Sequence, residues 1–214
     1  MAQATGSSAL SNSTSRVKGA FLEQIIADLN AEGFEGVELD YSSFLNVVLN
    51  KNIETSEGHE LPSSGFLVRL AGCRPKFCFR NDNPVEDEVE VAYSYDRKAD
   101  EDPASPVYAK IQEWKEQGLK LADVKEYQEV LAIMLDDKLE GDQAGELNGK
   151  LITIQVAPTS KGRWSGYLTQ LRMAGHPNIS GVKTLVRRGK KVESGKFPFF
   201  PWDFVCRGKI EDAV

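Results

Sequence analysis

Two histidines are all the imidazole this 214-residue chain has, so acid–base chemistry is sought around them first. His59, in Glu57-Gly58-His59-Glu60, and His176 stand far apart, with no motif around either. A general base must lie within hydrogen-bond reach of the proton it moves, and His59 reads as an exposed loop residue. Cys73, Cys78 and Cys206 form an odd set that allows one bridge at most. The spacing of Cys73 and Cys78 would suit a metal clip, but its second ligand pair would have to come from His59, His176 and Cys206. Ordinary strand cysteines and no bound metal are expected. The carboxylates at Asp100-Glu101-Asp102 and Asp136-Asp137 miss calcium-loop spacing and read as a solvated acidic face. In Gly162-Arg163-Trp164-Ser165-Gly166 the serine stands one place too late for a nucleophile elbow. With no phosphate-binding glycine loop either, the chain reads as a non-enzyme that carries no cofactor.

What the residue types do support is recognition of a polyanion. Lys161, Arg163, Trp164 and Tyr167 interleave cations with rings, the combination a single-strand binder uses. Cations track phosphates, and flat side chains stack on unpaired bases for about 1–3 kcal/mol each. The competing reading is that Trp164, Leu168 and Leu171, with Tyr167 beside them, form the buried stripe of a helix. A second cluster runs Lys183, Arg187, Arg188, Lys190, Lys191 and Lys196 around Gly189 and Gly195. Such a basic hairpin can follow a sugar-phosphate backbone without reading its sequence. The third segment, Phe197 to Phe204, holds five aromatics in eight residues, more than one half-buried strand needs. Phe197, Phe199 and Trp202 are candidate stacking rings there, and Arg172 adds a further cation. Pro198 and Pro201 argue for an edge or a bulge.

These groups sit in a chain of strongly divided charge. The whole carries 26 basic and 32 acidic residues, net −6. Between Leu151 and Lys209, however, eleven Lys and Arg face only Glu193 and Asp203. From Asp82 to Glu146 the balance reverses, with nineteen acids against seven bases. A basic face beside an acidic body is the electrostatic footprint of a polyanion binder, unless both faces are simply solvated.

The elements that must position the candidates follow from periodicity. Residues 1–16 are a low-complexity leader expected to be disordered, and Val17 to Leu29 has helical spacing. Phe44–Leu49, Gly65–Leu70, Lys76–Arg80 and Glu88–Tyr95 read as short strands punctuated by Pro and Gly. Ser105 and Pro106 open a helix to Gln117, and Tyr127–Leu135 is an apolar run. In the last third, strand Lys150–Val156, a helix from about Ser160 to Ala174, strand Val182–Arg188 and strand Phe199–Cys206 follow one another. The expectation is an α+β, oligonucleotide-binding-fold-like five-stranded barrel over residues 17–214, with inserted helices and an acidic insertion at about 82–146. A generic α+β sandwich fits nearly as well. No apolar run could cross a bilayer and no signal peptide is visible, so a cytoplasmic location is expected.

Ile152, Ala157-Pro158-Thr159-Ser160, Trp164-Ser165-Gly166-Tyr167-Leu168 and Phe199-Phe200-Pro201-Trp202-Asp203-Phe204 together resemble small phage and prophage single-stranded DNA-binding proteins. The likeness spans roughly the last sixty residues. It implies an oligonucleotide-binding barrel that coats unpaired DNA in replication or recombination. Many such proteins end in a long acidic tail, whereas Ile210 to Val214 holds two acids; recruitment through a tail is not expected unless the acidic middle substitutes. The alternative function is a protein-interaction module, a phage or host-takeover factor docking an acidic partner. In it, copies of the chain would also associate through their charge poles.

Overall fold

The computed structural model describes residues 44–85, 88–137, 147–176, 179–193 and 198–210. The leader, the expected helix Val17–Leu29 and the candidates Lys196 and Phe197 lie outside the described residues.

Among the described residues, nine strands form one curled sheet. They are β1 (Leu45–Leu49), β2 (Ile53–Thr55), β3 (Glu60–Leu61), β4 (Phe66–Asn81), β5 (Val91–Ser94), β6 (Leu121–Asp136), β7 (Leu151–Val156), β8 (Val182–Arg188) and β9 (Trp202–Lys209). Their order is β3-β2-β1-β7-β6-β4-β8-β9, with β5 paired to β4. The pair β1–β7 is parallel and the rest are antiparallel. Helix α1 (Pro106–Glu116) starts where Ser105 Oγ accepts from the Val107 N–H, as Ser-Pro at a helix start predicts. Helix α2 (Lys161–Met173) follows the 3₁₀ turn Pro158–Ser160.

Alternation along the strands builds the main core. Val47, Ile152, Ile154, Val130, Val68, Val186 and Phe204 point to one face, where Trp164, Tyr167 and Leu171 of α2 close over them. The register Cys73↔Val130 and Phe77↔Glu126 carries that face along β4. There Phe77 and Phe79 meet Val107, Ile111 and Trp114 of α1 in a second core. Both helices therefore cover the same side of the sheet. On the other side Phe44, Ala71 and Leu131 make a small cluster with Leu151.

The structure departs from the sequence expectation in three places. Nine strands stand where five were expected. Gly65–Leu70 and Lys76–Arg80 fall in one sixteen-residue strand, Phe66–Asn81; a bulge leaves Ala71 unpaired between Leu70 and Gly72, and the glycine keeps its place in the ladder. Pro75 falls between Arg69, the last residue paired to β8, and Phe77, the first paired to β5, so neither of those ladders asks it for an N–H. Finally, the stretch read as an acidic insertion supplies β6, which stands between β7 and β4. Among the described residues, no helix is long and apolar enough to cross a membrane.

Candidate nucleic-acid interface

The candidate site lies where β7 ends and α2 begins. The β1–β2 turn, the 3₁₀ turn before α2 and the 198–202 segment enclose an open cleft of about 450 Å³. Leu49, Asn50 and Lys51 form one wall, Thr159 and Ser160 a second, and Phe199 and Phe200 a third. Trp202 makes the floor: its ring is 2% exposed, its Nε1 donates to the Gln155 carbonyl at 2.8 Å, and its backbone N–H donates to Ser160 Oγ at 3.0 Å.

Two close approaches hold the aromatic wall in place. The Gly189 N–H donates to the Pro201 carbonyl at 2.8 Å, with the chains so near that a Cβ on Gly189 would sit 2.9 Å from that oxygen and 3.1 Å from an Arg163 guanidinium nitrogen. Val192 and Phe199 exchange backbone hydrogen bonds at 2.9 and 3.2 Å. Phe200, between the two prolines, is therefore turned to the cleft, half-buried. The Arg188 guanidinium lies 4.7 Å from its ring centroid and donates to the Lys51 carbonyl at 2.6 Å. An arginine on a phenyl face beside a lysine is a ready phosphate-and-base contact.

Other cations gather nearby, partly neutralised. Arg163 and Arg187 share the Asp203 carboxylate at 3.5 and 2.8 Å, leaving a surplus positive charge. Lys161 pairs with Glu126 at 2.9 Å. Lys190 and Lys191 are exposed on the following turn, Lys191 against Glu193 at 2.8 Å. Helix α2 has no side-chain cap and no acid in its first turn. Its macrodipole favours acids there by about 0.3–1 kcal/mol each, yet Lys161 and Arg163 occupy the turn. Thr159 and Ser160, on the cleft wall, lead directly into this end.

Three predicted rings are corrected to core residues. Trp164, 3% exposed, packs edge-on against Phe204 at 4.9 Å. Tyr167, also 3% exposed, shares a 2.6 Å hydrogen bond with Thr184 Oγ1; burial pushes its hydroxyl up to about 12 against the pull of that bond. Trp202 is the sealed floor just described. Spacing explains the first two, since residues 164, 167 and 171 share one helical face. Two predicted cations stand apart from the cleft: Lys183 pairs in register with Arg69 on β4, and Arg172 occupies the last turn of α2.

Sequence reasoning missed Phe200 and Lys51. Two prolines flanking Phe200 were a usable signal, because they break the alternation that would have put it on the same buried face as Trp202. Lys51 carried none; it meets Arg188 across 137 residues of chain. No family model, curated protein or solved structure matches this chain.

Proposed function

We propose that this protein binds single-stranded nucleic acid, DNA in the first instance, without chemistry and with little regard to sequence. The observation that carries the reading is the cleft in which Phe199 and Phe200 stand beside Arg188, Lys51 and the uncapped end of α2. An unpaired base stacked on Phe200 would place its phosphates near Arg188, Arg163 and Lys190. Phosphate contact without base-edge donors gives affinity that tolerates any sequence. The likeness of the C-terminal block to phage single-stranded DNA-binding proteins supports the same reading, with roles in replication or recombination. A curled sheet holding a helix at one end is in keeping with an oligonucleotide-binding barrel enlarged by extra strands.

Fluorescence anisotropy of a labelled oligothymidylate tests the proposal. Binding should weaken with salt on a log–log slope of about −0.7 per phosphate contacted. Absence of binding at low salt would refute it.

A further inference from the structure

The side of the sheet away from α1 and α2 is not a solvent face. An antiparallel sheet that meets water on one side carries polar residues there. Here Phe44, Ala71 and Leu131, at 9%, 4% and 7% exposed, pack together, with Leu151 against them. Beside them Thr153 and Glu129 are buried, and Ile133 is half-buried. The register sets these on one face, since Thr153 pairs with Leu131 and Leu151 with Ile133. Their alternates Ile152, Ile154, Val130, Ala132 and Met134 belong to the core under α2. Side chains standing off an open sheet keep their tips in water, so a leucine this buried has atoms above it. Among the described residues neither helix supplies them, because both pack on the other side.

The sequence narrows what does. Outside the described residues lie 1–43, 86–87, 138–146, 177–178, 194–197 and 211–214. The longest after the first, 138–146, has Leu139 and Ala144 as its apolar side chains, too few to cover a sheet face. Residues 17–29 instead hold Val17, Phe21, Leu22, Ile25, Ile26 and Leu29. At 3.6 residues per turn these six fall within about half of a helix circumference, with Glu23 and Ala27 opposite. Lys18 and Asp28 share that half but stand in its end turns. A stripe this broad faces a core. The chain also enters at the right place: Phe44, the first described residue, is itself a member of the cluster. From β1, next to Phe44, across β7 and β6 to β4 is three strand spacings, about 14 Å. Thirteen helical residues measure about 20 Å, enough to cross it.

We propose that residues 17–29 dock as an amphipathic helix across this second face of the sheet, over Ala71, Leu131 and Leu151, so that the sheet is covered from both sides by its own chain. The inference is independent of the nucleic-acid reading, because the cleft lies on the side of α2, and either can fail alone.

The full chain carrying Ile133→Cys tests it, since Ile133 sits at the centre of the face. Maleimide labelling of that cysteine, located by peptide mass, would be compared with Ile25→Asp, Ile25→Ala or Ala27→Asp added, alongside urea unfolding of each. Ile25→Asp should label several-fold faster and unfold at lower urea, and Ile25→Ala should shift both in the same direction by less. Ala27→Asp, off the stripe, should label at the parent rate. Cys206, packed against the core on the α2 side, should keep its rate throughout, which separates local uncovering from global unfolding. If Ile25→Asp does not fold, the labelling rate of Ile25→Ala decides. Equal labelling of the Ile133→Cys position in every background overturns the proposal. A chain that is dimeric by light scattering, with labelling that accelerates only on dilution to monomer, would make the face an interface between copies and overturn it as well.

Discussion

At the scale of single residues, the distinction that matters is between rings that hold the protein together and rings free to meet a ligand. Trp164 belongs to the first kind. Trp164→Ala should cost about 3–5 kcal/mol of stability, read from urea unfolding, with binding lost only as the fold is lost. Phe200 belongs to the second kind: Phe200→Ala should weaken oligonucleotide binding by about 1–3 kcal/mol and leave the urea midpoint nearly unchanged. The sequence placed Trp164 among the candidates and passed over Phe200, because composition counts rings without saying which way they point. Helical spacing did flag Trp164 and Tyr167 as a stripe, and the structure follows the spacing. Glu129 gives a pH signature of its own. Burial would push its carboxyl up, but the Lys76 hydrogen bond, the charges of Arg74 and Lys76 and the Tyr95 hydroxyl hold it below its ordinary 4.5. Its folded value being the lower one, its contribution is complete above pH 4.5 and drains away as pH falls through the folded value. Glu129→Gln should cost about 3 kcal/mol near neutral pH, because Arg74 and Lys76 lose the buried carboxylate charge they share. It should also flatten the acid limb of the stability curve in denaturant titrations run from pH 6 downward.

At the scale of elements, the site depends on how two chain segments cross at Gly189. Its position against Pro201 leaves no space for a side chain, so Gly189→Ala must move either the 198–202 segment or Arg163. Crowding of this kind costs about 1–3 kcal/mol. The expected outcome is a modest loss of stability with a larger loss of oligonucleotide affinity, because the displaced segment carries Phe200; equal losses would show that the crossing does not position the cleft. Strands β7 and β8, and both helices, were legible from alternation and from the Ser-Pro start of α1. The merger of two short strands into β4 was not, because Gly72 and Pro75 are strand breakers in local terms. Their tolerance comes from a bulge and from the gap between two partner strands, both of which are tertiary facts. The position of β6 was hidden in the same way. Its acids Asp123 and Glu126 mask a strand whose other half buries Val130, Leu131, Ala132 and Met134.

At the scale of the whole molecule, the division of charge was the clearest signal in the sequence, and the fold uses it only in part. Arg163, Arg187 and Arg188 converge near the cleft, and Lys51 joins them from the first described strand pair. Arg172 and Lys183 stand elsewhere. Composition reports how many cations a segment holds; which of them meet is decided by the sheet. The surplus near the cleft, not the net charge of −6, should set the response to salt. Removing one phosphate contact with Arg188→Ala should lower the log–log salt slope by about 0.7 while the slope itself stays negative. The most direct measurement compares salt-dependent binding of single-stranded and double-stranded DNA of equal length to the wild-type chain. A cleft lined by Phe199 and Phe200 predicts tighter binding of the single strand at every salt concentration, with the preference abolished in Phe200→Ala. Equal affinity for both forms, or a preference for the duplex, would contradict it.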